Sequence, residues 1–293
     1  MRLTVTTLHL GLGAGLLAVG LMALPMTPHA QAVDAPRVVT LGGAVTEIAV
    51  ALGAQDLLIA RDSTSTYPPS VMDLPDVGYV RALSPEGVLS VAPDLILSED
   101  GAGPAETIAV LEAAGVDFVT MPDDPTPQGV LDKIDAVAQA LRLPAEGEAL
   151  KAEVEAGLRA AKARAEAVTE PKRVLFVLSL QGGRVMAGGE GSSAEGIIRL
   201  AGGINAATGF DGYKQMTDEA VIAAAPDLIL MMDREGDLSI TAEDVTAHPA
   251  LGLTPAAQNG RILRMNGMLL LGFGPRTPEA AEALHDALYP AKG

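Results

Sequence analysis

Ser84-Pro85-Glu86-Gly87-Val88-Leu89-Ser90-Val91-Ala92-Pro93-Asp94-Leu95-Ile96-Leu97 returns further along the chain as Thr217-Asp218-Glu219-Ala220-Val221-Ile222-Ala223-Ala224-Ala225-Pro226-Asp227-Leu228-Ile229-Leu230. Each copy opens on a Ser or Thr suited to cap a helix and carries a glutamate, Glu86 or Glu219, in the first turn. The short helix stops before Pro-Asp, because the residue preceding a proline is pushed out of the helical region. An apolar run of buried-strand type follows. Working outward, Arg37–Leu41 matches Arg173–Leu178, and both read as strands. Helical segments come next: Ala44–Leu52, ending at Gly53, and Ala194–Leu200, ending near Gly202-Gly203, with Glu47 and Glu195 in like positions. Strands alternating with helices predict an α/β fold, and the duplication predicts two similar lobes with central parallel sheets.

Between the copies, Leu143–Thr169 is rich in Ala, Glu, Lys and Arg, with apolar residues at Leu150, Val154, Leu158 and Ala161. That spacing is a narrow helical stripe and predicts one helix of ~20–25 residues ending before Pro171. A helix joining two lobes is a stiff strut that limits hinge closure; a surface helix within one domain is the alternative. The division expected is 1–32 as a leader, 33–142 as the N-terminal lobe, 143–170 as the linking helix and 171–293 as the C-terminal lobe.

The leader reading rests on Arg2, an apolar stretch from Leu8 to Leu24 broken by glycines, and the small-residue site Ala30-Gln31-Ala32. A positive start, a short apolar core and an A-x-A site describe a secretory signal cut after Ala32. The rival is a membrane anchor, for which the apolar run is short against the ~20 residues a span needs. An exported, periplasmic protein follows. The chain has 293 residues, 48% of them hydrophobic, and its 20 Lys plus Arg face 37 Asp plus Glu, a net charge of −17. So acidic a surface repels phosphate backbones and excludes nucleic acid as a partner. The absence of cysteine removes disulfides, thiolate metal sites, thiol catalysis and a lipid-anchored Cys.

Enzyme chemistry lacks its parts, and no catalytic activity is expected. After cleavage only His248 and His285 remain, neither at metal-ligand spacing from a partner, and both read as solvated or structural. No G-x-S-x-G, P-loop or H-E-x-x-H occurs. Gly182-Gly183 and Gly188-Gly189-Glu190-Gly191 lack the Lys-Ser/Thr of a phosphate loop and read as a hairpin or flexible loop. Asp123-Asp124, in a Pro-rich stretch, reads as a solvated turn. One segment stands apart: Arg61-Asp62-Ser63-Thr64-Ser65-Thr66-Tyr67-Pro68-Pro69. So polar a run between a strand and Pro-Pro is read as lying outside the core, and Pro68 biases Tyr67 toward an extended conformation that holds its phenol out from a loop. A phenol is one of the recognised axial ligands of haem iron; a surface Tyr packed on proline is the plain alternative.

These residues carry a resemblance. The chain resembles haemin-binding periplasmic proteins of ABC-type haem importers, within the helical-backbone class of substrate-binding proteins, over about residues 36–290. The motifs concerned are Arg61–Pro68, Val77-Gly78-Tyr79-Val80-Arg81-Ala82-Leu83-Ser84-Pro85-Glu86-Gly87, Leu200-Ala201-Gly202-Gly203-Ile204-Asn205 and Leu271-Gly272-Phe273-Gly274-Pro275-Arg276-Thr277-Pro278. Vitamin B12 and siderophore relatives share the repeat architecture but not the Ser-Thr-Ser-x-Tyr-Pro run. The resemblance implies a monomer that grips haem between its lobes, with Tyr67 as axial ligand and an arginine of the opposite lobe approaching the phenolate. Fe(III) and a guanidinium both favour the deprotonated phenol. Arg234 is the first candidate and Arg276 the second; an exposed loop cation pairing with Asp233 or Glu235, and a structural turn residue, are their respective alternatives. Some family members bind a second haem through a histidine of the C-terminal half; with none before His248, one haem is expected. Met186, Met216, Met231, Met232 and Met265 are candidates for the cleft wall, or for core. Glu86 and Glu219 match the docking glutamates that meet a dimeric permease, although stabilising a helix dipole explains them too. A corrinoid or ferric-siderophore carrier is the nearest rival. A zinc or manganese receptor wants more histidines, and a haem-degrading oxygenase is the enzymatic rival.

Overall fold

The computed structural model describes residues 2–4, 35–233 and 240–290. The expected leader, 1–32, and Arg234 therefore lie essentially outside the described residues. No helix among the described residues is long and apolar enough to cross a membrane.

From residue 35 the chain runs β1 (Val38–Leu41), α1 (Gly43–Ala51), β2 (Leu58–Arg61), α2 (Pro85–Leu89), β3 (Leu95–Glu99), α3 (Ala105–Ala113), β4 (Asp117–Met121) and α4 (Pro127–Ala140). Then comes α5 (Pro144–Glu166), the long helix read from the stripe. The second half runs β5 (Arg173–Ser179), β6 (Val185–Gly188), α6 (Ser193–Leu200), β7 (Ile204–Asn205), β8 (Tyr213–Met216), α7 (Asp218–Ala224) and β9 (Leu228–Asp233). It closes with α8 (Ala242–Ala247), α9 (Pro255–Gln258), β10 (Ile262–Asn266), α10 (Gly267–Leu271) and α11 (Thr277–Leu288).

The duplicated stretch folds twice in the same way. Ser84 caps α2 by accepting from Gly87 N at 3.0 Å, and Thr217 caps α7 by accepting from Ala220 N at 3.2 Å. Before each Pro-Asp an alanine takes a left-handed conformation, Ala92 at φ 49° and Ala225 at φ 40°. The aspartate then fixes the opening of the neighbouring strand. Arg37 N donates to Asp94 Oδ2 at 2.9 Å and Arg173 N to Asp227 Oδ2 at 2.8 Å. Each arginine also sends Nε to a carbonyl at or just beyond the end of the helix in its copy, Ala224 O for Arg173 and Ala92 O for Arg37.

The first sheet has the order β2-β1-β3-β4 and is parallel throughout. The second departs from the expected parallel form. Its β10-β9-β5 segment, with the short β7 against β5, is parallel, but β6 and β8 are antiparallel additions. Gly182 (φ 64°) and Gly183 (φ 71°) make the tight reversal that folds β6 back on β5, since glycine takes positive φ without steric cost. These glycines therefore form a hairpin turn.

The helix α5 ties the lobes together. Its buried face is Gly147, Val154, Leu158 and Ala161, with Leu150 half-buried beside it. One apolar cluster runs without a break from Ile48, Ile134 and Val137 of the first half, across α5, to Ile197, Ile198 and Leu284 of the second. Two smaller clusters lie on the outer faces of the sheets. Gly157 stands where a Cβ would come within 2.8 Å of Pro278 Cβ, which lets α11 approach the spine.

Candidate functional site

The polar run after β2 is wound around one carboxylate. Asp62, fully buried, accepts from Gly42 N (3.0 Å) and Ser65 Oγ (2.7 Å) on Oδ1, and from Thr64 N (2.9 Å) and Thr64 Oγ1 (2.7 Å) on Oδ2. Arg61, also buried, sends Nε to Val71 O at 3.0 Å and Nη1 to Asp62 O and Asp76 Oδ2. Thr46 of α1 links Ser65 Oγ at 2.6 Å to Thr40 at 2.7 Å. The expectation that this run lies outside the core is thus corrected for Arg61, Asp62 and Ser65. Their polar atoms bond one another and are buried because they are satisfied.

This scaffold ends at Tyr67, joined to Pro68 by a cis peptide, and a 3₁₀ turn over Pro69–Asp73 anchors the far side through buried Val71. The Tyr67 side chain is exposed, and its hydroxyl makes no hydrogen bond among the described residues. Its ring lies under the guanidinium of Arg276, with Cζ 3.6 Å from the ring centroid. Arg276 is held from behind by Glu47 of α1: Nε donates to Oε2 at 2.9 Å and Nη2 to Oε1. Glu47 is 8% exposed, so this forked pair between the lobes is largely desolvated. Glu195, at the matching place in the second copy, instead caps its own loop at Gly191 N and pairs with Arg199. Of the three predicted ligand-contact residues, then, the structure brings Tyr67 and Arg276 together; Arg234 is outside the described residues.

The segment Leu271–Arg276 is the seam itself. Lys133 of α4, fully buried, donates to Asp123 Oδ1 at 2.6 Å and to Gly272 O across the lobes at 3.3 Å. A Cβ on Gly274 would stand 3.2 Å from that of Ala44, so the chain approaches α1 closely there.

Beside Tyr67 a cavity of about 520 Å³ opens between the lobes, and Thr66 reaches its wall although Tyr67 does not. The first lobe contributes Tyr79, Arg81, Glu99 and Asp123; the second contributes Tyr213 and Met268, among others. Sequence reasoning passed over Arg81 and Glu99, and read Asp123 as a solvated turn. It is instead a cleft carboxylate bound to Lys133. Arg81 forms no ion pair or side-chain hydrogen bond among the described residues. Burial pushes the Tyr213 phenol up, and its ring packs edge-on against Phe176, so it is a neutral wall. Glu99 is raised to about 7, chiefly by burial and then by Asp123. Of the methionines, Met232 lines the cavity, Met231 and Met265 are core, and Met186 and Met216 are half-buried; Met268 was not foreseen.

Glu86 and Glu219 are exposed on the first turns of α2 and α7. Hydrogen bonds from its own backbone N–H and from Thr217 hold the Glu219 carboxyl below the usual range. His248 caps a turn by accepting from Ala250 N and Leu251 N, and His285 bonds Ala201 O, so both are structural.

Residues 38–267 match the family described as "Periplasmic binding protein". The chain belongs to that family. Among solved structures, this binding protein superposes on "Periplasmic heme-binding protein RhuT from Roseiflexus sp. RS-1 in apo form" with a TM-score of 0.83 and 40% identity, covering 87% of this chain and 98% of that one. It superposes on "Periplasmic heme-binding protein BhuT in complex with two hemes" with a TM-score of 0.81 and 40% identity, covering 86% and 97%. The vitamin B12-binding protein of Vibrio cholerae is 28% identical over 262 residues, 86% of this chain and 89% of its own.

Proposed function

We propose that this periplasmic binding protein captures ferric haem in the inter-lobe cleft and delivers it to an ABC permease. The observation that carries the reading is Tyr67, presented from the Asp62-wound loop at the edge of the cavity with its hydroxyl making no hydrogen bond among the described residues. The 40% identity to two heme-binding structures, against 28% to a vitamin B12-binding protein, supports haem over a corrinoid.

In this reading Tyr67 is the axial ligand. The Arg276 guanidinium lies over its ring in a cation–π contact that holds the ring in place. Arg81, a cavity cation with no ion pair among the described residues, suits a propionate. Arg234 is the opposite-lobe arginine first suggested by the resemblance. One haem per chain is expected, captured in the periplasm, which the protein reaches by export with removal of residues 1–32.

An absorption titration with haemin tests this. A Soret shift and the charge-transfer band of a Tyr-ligated ferric haem should appear, with an end point at one equivalent. Tyr67→Ala should weaken binding by about tenfold or more and abolish that band. An unchanged spectrum would remove Tyr67 from the site, and stronger binding of cobalamin in a parallel titration would favour the corrinoid reading. Glu86 and Glu219 are the docking residues. Reversing both to Lys should abolish uptake through the permease in proteoliposomes while the haemin titration stays the same.

A further inference from the structure

Glu99 ends β3 at the cavity wall, and its carboxylate is unlike the others there. Asp62 is saturated by four donors, and Asp123 holds Lys133. Glu99 has no ion pair and accepts no side-chain hydrogen bond among the described residues. Its seat exists because residue 42 lacks a side chain: a Cβ on Gly42, itself at φ 120°, would stand 2.5 Å from Glu99 Oε2. Around it are Asp62 from the loop after β2, Asp123 from the loop after β4, Lys133 from α4 and Arg81 from the loop before α2. Across the cavity lie Asp233 and Tyr213. An anion at such a site lacks a dedicated counter-ion and faces other acids, so the uncharged form is favoured. The value of about 7 agrees with that placement.

Resting on the haem reading above, we propose that Glu99 holds the ligand as a neutral carboxylic acid that donates a hydrogen bond to it, so that capture by the ionised form of the free protein takes up a proton. The ligand chemistry that fits is one bringing its own carboxylates. Arg81 receives an anion, and beside it an ionised Glu99 would repel the same group. Binding is therefore linked to protons. Affinity is level below pH ~7 and falls by up to about tenfold per unit above it, as the unliganded protein loses the proton the complex keeps.

Haemin titrations of the wild type and of Glu99→Gln between about pH 6 and about pH 9 test this, because glutamine keeps the shape and the donor and does not titrate. The pH dependence of the iron and of Tyr67 is common to both proteins and cancels in their ratio. The wild-type affinity divided by that of the variant should be flat below pH ~7 and fall by up to ~tenfold per unit above it. A ratio constant across the range overturns the proposal. In the ligand-free protein, the infrared carbonyl band of a protonated carboxylic acid, present in wild type and absent in Glu99→Gln, should vanish with a midpoint near neutrality. No such band near pH 6 also overturns it. If haemin fails to bind either protein, the haem reading falls and the infrared titration alone decides Glu99: a band titrating near neutrality supports its neutral state, and none overturns it.

Discussion

Four donors converge on the Asp62 carboxylate, and the loop that presents Tyr67 hangs from them. Asp62→Ala leaves buried N–H and hydroxyl groups without an acceptor, so we expect a loss of ~3–5 kcal/mol in urea denaturation. The loop should also slacken, and in the haem reading proposed above that weakens the iron-to-phenolate band more than the Soret band. Glu99 makes the opposite prediction. Its folded value of about 7 lies above the ordinary 4.5, so its contribution is fully present below about pH 4.5 and is lost as pH rises through about 7. Glu99→Gln should therefore raise stability at pH ~8, on the order of 2–3 kcal/mol, and change it little near pH 4.5, as thermal melts across pH will show. The exposed placement of Tyr67 was legible in the string, because a polar run ending in Tyr-Pro holds the ring out from a loop. Asp62 and Glu99 were not. Short hydrogen-bonding side chains look alike in sequence whether they face water or one another, and the burial of Glu99 depends on Gly42, far away in the chain.

At the scale of elements the duplication made the fold readable: a capped helix, a break at Pro-Asp and an apolar strand appear twice, and both copies form as written. The antiparallel β6 and β8 were hidden, because β8 is mostly polar and half-exposed, and only the Gly182-Gly183 turn announced the reversal. The left-handed alanines give a paired prediction. Ala92→Gly and Ala225→Gly each relieve a backbone conformation that Cβ disfavours, and each should stabilise by ~0.5–1 kcal/mol in denaturant titrations. They lie in different lobes and should add. The ion pair of Glu47 and Arg276, lying between the lobes, was out of reach of any local pattern, since its partners are 229 residues apart.

Across the whole molecule the decisive feature is a core that does not stop at the lobe boundary. Leu158→Ala, at the middle of the spine, should cost ~2–5 kcal/mol and lower one shared melting transition. Two separate transitions would show that the lobes unfold independently. For the same reason the radius of gyration by X-ray scattering should be nearly the same with and without ligand. A carrier built on so unyielding a spine keeps the interval between Glu86 and Glu219 fixed, like the pins of a plug. A transporter gripping those two points would feel the same handle whether the carrier was full or empty, and would have to tell the difference by touching the rim of the cleft.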